Sequence, residues 1–232
     1  MYFWKCWRDT RSLFFILLII AAVIMPVAAV VCVGTGLLEE FGLSAVLSTF
    51  GLLGMVAALG LGVLGASEEF AEKTVQFLFT KPRTRAYFVW AGWSVGCIEL
   101  LLIALVNLSV GWVTLSRYTR NPFHSTLFGS TTPQHIVDSM VGGLTLFLFV
   151  YSLTYALTAL LRNGLKGLGA SMGIIFGLPF FAVAIRWRWK IDVPIPANHI
   201  GTLPVMISNV IWILVALLFV FGAQFALERA EI

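Results

Sequence analysis

Glu99 and Asn107 stand out in this sequence because each interrupts an otherwise apolar stretch, at about residues 87 to 114, where a polar side chain is costly. Eight positions apart, they share one face of a helix. An ionisable group in such a segment costs on the order of a few kcal/mol, and it marks a substrate pathway, a proton relay or a buried polar bond between helices. Counting along the stretch predicts Glu99 near its middle, facing protein or water rather than lipid. Two roles follow: a contact on a transport pathway, or a carboxyl bonded to a neighbouring Ser or Thr that locks helix packing.

Two other patterns bear on catalysis. Gly169-Ala170-Ser171-Met172-Gly173 matches G-x-S-x-G, with His199 later in the chain, the pairing an intramembrane serine hydrolase would need. The nucleophile elbow is a strained strand-to-helix turn, whereas Ser171 falls in a glycine-striped apolar run that has a packing explanation, so no catalytic residue is expected. His124, His135 and His199 all fall in the outer connections, at residues 115 to 138 and 186 to 206, where unrelated loop histidines are far commoner than a metal site, and Cys6, Cys32 and Cys97 contain no pair at ligand spacing. Neither a metal site nor a disulfide framework is predicted.

Composition sets the elements that must hold these residues. The 232 residues are 59% hydrophobic and 11% charged, with a mean hydropathy of +0.95. An ordinary globular chain is about 45–50% apolar and about 25% charged. A soluble enzyme, a nucleic-acid binder and a disordered chain are excluded. Hydropathy divides the chain into six spans, at about residues 12 to 33, 43 to 66, 87 to 114, 139 to 161, 167 to 185 and 207 to 227. The first is a span rather than a secretory signal, since its apolar run continues to Val33 and signal cores are about 7–15 residues long. Ahead of it, Tyr2, Phe3, Trp4 and Trp7 alternate with Lys5 and Arg8. Residues 1–11 therefore read as a short amphipathic segment in the headgroup layer or as an aromatic-anchored start to the span.

The formal charge of +4 divides by side of the membrane. One set holds ten cations, Lys5, Arg8, Arg11, Lys73, Lys81, Arg83, Arg85, Arg162, Lys166 and Arg229; the other holds Arg117, Arg120, Arg186, Arg188 and Lys190. The larger set marks the cytoplasmic side, so both termini are expected inside. Arg186-Trp187-Arg188-Trp189-Lys190 is expected to begin the loop before the last span, as an interfacial belt of rings and snorkelling cations. Residues 1–232 form one all-α membrane domain, and no soluble domain is present to convert energy.

The inner connection after the second span is the most informative segment. Ser67 is a good N-cap, and Glu68 and Glu69 then lie in a first helical turn, where the dipole favours carboxylates. Phe70, Thr74, Phe77 and Leu78 make a narrow apolar stripe opposite Glu69, Glu72, Lys73 and Gln76. Pro82 ends the element, and Lys81, Arg83 and Arg85 meet the headgroups. A short amphipathic helix over residues 67–82, held along the membrane, can dock on a cytosolic partner; a solvated loop that sets topology is the alternative.

The acids after the second span, then a Thr, an apolar pair, a Pro and an Arg three residues on, resemble the type-2 ATP-binding-cassette (ABC) exporter permeases. Glu68, Glu69, Glu72, Thr74, Phe77, Leu78, Pro82 and Arg85 carry the resemblance. The six-span layout fits the family in outline, and the specific motif covers about twenty residues. The resemblance implies that residues 67–82 are a coupling helix seated in a cytosolic ATPase subunit, one per protomer and two per dimer. It also implies a permease in the bacterial inner (plasma) membrane, paired with itself or a close relative, exporting its substrate. The chain has no G-x-x-x-x-G-K-[ST], and no Gly-Lys dipeptide, so ATP and Mg belong to the partner. A proton-coupled secondary transporter with Glu99 as carrier is the rival, although no internal inverted repeat is evident.

Small residues supply the remaining signal. Gly169, Gly173 and Gly177 recur every fourth position in the fifth span, and Gly54, Ala58, Gly62 and Ala66 do so in the second. Either stripe lets two backbones approach closely, within the chain or between two copies. In the resembling family the first and fifth spans line the dimer interface, which assigns the fifth-span stripe to the seam. Thr145, Tyr151, Ser152, Thr154, Tyr155 and Thr158 spread over more than one face of the fourth span, and Pro26 and Pro179 are expected to kink theirs.

Overall fold

A computed structural model describes residues 2–32, 37–71, 85–118, 124–125, 129–130, 133–189 and 203–229. Within them lie six helices: α1 (Tyr2–Cys32), α2 (Leu37–Ala71), α3 (Arg85–Tyr118), α4 (Pro133–Leu161), α5 (Gly164–Trp189) and α6 (Leu203–Arg229). Between α3 and α4, β1 (His124–Ser125) and β2 (Gly129–Ser130) form a minimal antiparallel ladder, with His124 opposite Ser130. Long apolar runs leave the backbone no solvent partner, so it satisfies its own amides and carbonyls as helix. Among the described residues, α1, α2, α3, α4 and α6 are long and apolar enough to cross a membrane.

Neighbouring side chains fix the helix directions. Cys6 of α1 packs with Phe88, Ala91 and Val95 of α3, and Thr10 meets Glu99 further along both, so α1 and α3 run parallel. A Cβ on Gly60 of α2 would meet Leu13 of α1. Gly54 of α2 sits on Phe147 of α4, and Gly62 on Thr154, so α2 and α4 run together. Gly96 and Gly92 of α3 meet Tyr151 and Tyr155 of α4 in reverse order, which makes that pair antiparallel. Thr145 and Phe149 of α4 meet Asn209 and Trp212 of α6 in the same order. The starts of α1, α3 and α5 and the ends of α2, α4 and α6 therefore share one end of the bundle. Lys5, Arg8, Arg11, Arg85, Arg162, Lys166 and Arg229 are at that end, and Arg117, Arg186 and Arg188 at the other.

α2 and α4 form the centre, with α3 against both; α1 packs on α2 and α3, α5 on α2 and α4, and α6 on α3 and α4. The rings of Phe50 and Phe147 meet at a tilt, centroids 5.1 Å apart, in the core among Leu53, Ala57, Leu61, Ile103 and Val150. Glycines allow these crossings: a methyl on Gly62 would lie 2.8 Å from Thr154 Cβ and 3.1 Å from the Tyr151 carbonyl.

Several local expectations change. Tyr2–Cys32 is one uninterrupted helix, so residues 2–11 continue the axis of the first span, and Pro26 lies within it. Ser67 is inside α2 rather than at an N-cap, and Glu68 and Glu69 ride on that helix's last turn. The 186–189 segment closes α5 rather than beginning a loop, a position where the helix dipole favours its arginines. α3 extends to Tyr118 and α4 starts at Pro133, which shortens the expected connection and puts His135 in a helix. The α4–α5 joint is only Arg162 and Asn163. Arg162 has φ 50°, the left-handed position where helices commonly end. The Lys166 amide donates to Asn163 Oδ1 at 3.1 Å, which caps α5.

Candidate functional site

A side-chain bond joins Thr10 of α1 to Glu99 of α3: the hydroxyl donates to Glu99 Oε1 at 2.7 Å. Glu99 is 2% exposed, and its Oε2 has no hydrogen-bond partner among the described residues. Thr10 is itself buried, and its oxygen also lies 3.2 Å from the Cys6 carbonyl one turn back.

Glu99 lines a cleft of about 510 Å³ between the same helices. α1 contributes Trp4, Trp7 and Phe14, and α3 contributes Val95, Ile98 and Leu102. Trp4 and Trp7 have ring centroids 5.0 Å apart. Trp4, Ile98 and Leu102 are exposed, so the cleft opens on the side of the bundle rather than into its core. Among the described residues the carboxyl is its only charged wall, and the end at Phe14 and Leu102 is apolar.

Glu99 lies within three residues of the middle of Ala86–Arg117, the part of α3 that is long and apolar enough to cross a membrane. Thr10 sits between Asp9 and Arg11, ahead of the apolar run that starts at Leu13, so Glu99 is level with the charged start of α1. Measured from Arg117 in the last turn of α3, Glu99 is about 27 Å away and Asn107 about 15 Å at about 1.5 Å per residue. Asn107 is 1% exposed, and neither Oδ1 nor Nδ2 has a hydrogen-bond partner among the described residues. Glu99 and Asn107 are both buried on α3, but only Glu99 reaches the cleft.

A layer of aromatic and polar side chains surrounds the same level. Tyr151 and Tyr155 of α4 are fully buried and reach backbone carbonyls of α3: Tyr151 donates to Trp93 O at 3.1 Å and Tyr155 to Val89 O at 3.0 Å. Trp93 Nε1 donates to Ser152 Oγ at 2.9 Å, and Trp90 Nε1 to Gln224 Oε1 of α6 at 2.9 Å. None of these partners is legible from spacing alone. The available signal is that phenol and indole groups in an apolar helix must find acceptors, which marks Tyr151 and Tyr155 but not the carbonyls they select.

The glycine stripes separate cleanly. In α2, Gly54 and Gly62 are filled by Phe147 and Thr154, so that stripe is spent within the chain. In α5, Gly169, Gly173 and Gly177 are exposed, and a Cβ on any of them would meet open space. Ser171 lies between them inside the helix, and its hydroxyl donates to the Leu168 carbonyl at 2.9 Å. It is not at a strand-to-helix turn and offers no elbow geometry.

Of the expected docking residues, Glu68 and Glu69 end α2 and Arg85 opens α3. Glu72, Lys73, Thr74, Phe77, Leu78, Pro82 and Arg83 lie outside the described residues, as does His199. His124 is in β1 and His135 in the first turn of α4, and no group of three potential metal ligands occurs among the described residues. No family model matches this chain, and no curated protein and no solved structure matches it either.

Proposed function

We propose that this chain is the membrane-spanning subunit of an ABC exporter, with six spans, both termini in the cytoplasm, and a separate ATPase that binds ATP and Mg. The observation that carries the reading is the gathering of cations at one end of the bundle, where the acid-bearing end of α2 and the start of α3 also emerge. By the positive-inside rule that end is cytoplasmic. Residues 67–82 are then the inner connection, with Glu68, Glu69, Glu72, Thr74, Phe77 and Pro82 docking on the ATPase and Arg83 and Arg85 at the headgroups. The open face of Gly169, Gly173 and Gly177 supports a second copy, or a close relative, packed along α5. Closure of two ATPases around nucleotide would shift each connection as a lever and bias the spans between inward-open and outward-open arrangements. Glu99 and Asn107 are the proposed polar contacts of the pathway in the inner membrane.

Co-expression with each ATP-binding-cassette subunit of the same genome tests this. One subunit is expected to co-purify with the wild-type chain and gain ATPase activity, and Glu72→Ala with Phe77→Ala is expected to abolish both. Undiminished capture and stimulation by the double variant would remove the docking role. The second reading, proton-coupled transport through Glu99, is favoured by its unpartnered Oε2. Substrate flux driven by a proton gradient in vesicles holding this chain alone would establish it instead.

A further inference from the structure

We infer that the side-opening cleft between α1 and α3 is a binding site for an amine-bearing phospholipid, whose ammonium is held by Glu99 and whose acyl chain lies along Phe14, Ile98 and Leu102. Three observations converge on that occupant. Glu99 Oε2 is buried in the wall of the cleft and has no partner among the described residues, so a bound donor would satisfy an acceptor that none of them satisfies. A primary ammonium supplies such a donor together with the opposite charge.

The charges of α1 supply the second argument. Arg8 and Arg11 flank the Thr10 that holds Glu99, and both are exposed at the charged start of the helix. A bare alkylamine would meet these cations beside its own. A phosphodiester placed one step outside the ammonium instead answers them, so a zwitterionic headgroup matches the order carboxyl then guanidinium better than a simple cation does. Asp9 and Lys5 are the other charged groups near this level of α1, and Asp9 is 3.4 Å from Arg8 Nε.

Shape and position supply the third. The cleft is open sideways at Trp4, Ile98 and Leu102, and its apolar end points along the span. Trp4 and Trp7 at the shallow end are the residue type that sits at headgroup level. A lipid can therefore enter from the membrane without crossing the bundle. The inference holds for a membrane chain of any activity, so its failure would leave the transport reading untouched.

The test is native mass spectrometry of the full-length chain, delipidated in mild detergent and titrated with phosphatidylethanolamine, phosphatidylcholine and phosphatidylglycerol of identical acyl chains. Phosphatidylethanolamine is expected to bind about tenfold more tightly than phosphatidylcholine, which has the same charges but no N–H donor. Glu99→Gln is expected to erase that preference while leaving weak chain binding. Leu102→Trp, an exposed position where the ring fills the cleft, is expected to lower binding of all three lipids and keeps the site testable if the Glu99 variant does not fold. Equal binding of phosphatidylethanolamine and phosphatidylcholine would overturn the amine assignment. A preference for phosphatidylglycerol, or unchanged binding in Leu102→Trp, would overturn it as well.

Discussion

The Thr10 hydroxyl donates to Glu99 Oε1 across 2.7 Å, and this bond joins two helices that are separated in sequence by the whole of α2. It sets the level at which α1 lies on α3 and holds one lobe of the carboxyl, while the other has no partner among the described residues. Removing the donor strands a second buried acceptor. Thr10→Val should therefore cost about 1–3 kcal/mol, read as a lowered unfolding midpoint in detergent, whereas Thr10→Ser should cost less than half as much. Equal losses in the two variants would assign the effect to packing of the Thr methyl.

The two glycine stripes should respond oppositely to the same substitution. Gly62→Val drives a side chain into Thr154 and the Tyr151 carbonyl, so it should destabilise the monomer by about 1–3 kcal/mol through overpacking. Gly173→Val projects into open space and should leave the unfolding midpoint close to wild type. If a second copy covers that face, its self-association by energy transfer in bilayers should fall about tenfold. Undiminished transfer in Gly173→Val would remove α5 as the seam.

The α4–α5 joint makes a prediction that involves no function. Asn163→Ala deletes the side chain that caps α5 and should cost about 1 kcal/mol. Arg162→Gly relieves a left-handed residue at φ 50° and should stabilise by about 0.5–1 kcal/mol. Chemical unfolding of the pair checks both signs, and destabilisation by Arg162→Gly would mean that its side chain makes a contact worth more than the strain.

Tyr155→Phe keeps the ring and removes the bond to the Val89 carbonyl. The expected loss is about 0.5–1.5 kcal/mol, while Gly92→Ala, whose methyl would lie 2.8 Å from the same hydroxyl, should lose at least as much. A neutral Tyr155→Phe would mean that the carbonyl is equally well served by its own helix.

Much of the architecture was legible because a bilayer protein has few ways to be built: long apolar runs become helices, and charges collect at their ends. Hydropathy located the helices but not their limits. Residues 2–11, 67–71 and 186–189 are helical although their composition reads as interface or loop, because charged and aromatic residues extend a helix past its apolar core as readily as they end it. Glu99 was identifiable as the unusual residue, yet its level depends on where α1 meets α3, a register that no single helix contains. The same limit hid Thr10, which by itself is one hydroxyl among several. The difference between the stripes on α2 and α5 was equally invisible, since Gly-x-x-x-Gly gives a surface and not what covers it.

Tyr151 and Tyr155 address the main chain of α3 rather than its side chains, and they do so one helical turn apart. That arrangement has a mechanical meaning. Sliding α3 along α4 would disturb both bonds together, although the Gly92 carbonyl, 3.4 Å from the Tyr151 hydroxyl, offers that phenol a second acceptor. The two phenols thus tie α3 to α4 through the main chain, at the level where α2 packs against both helices.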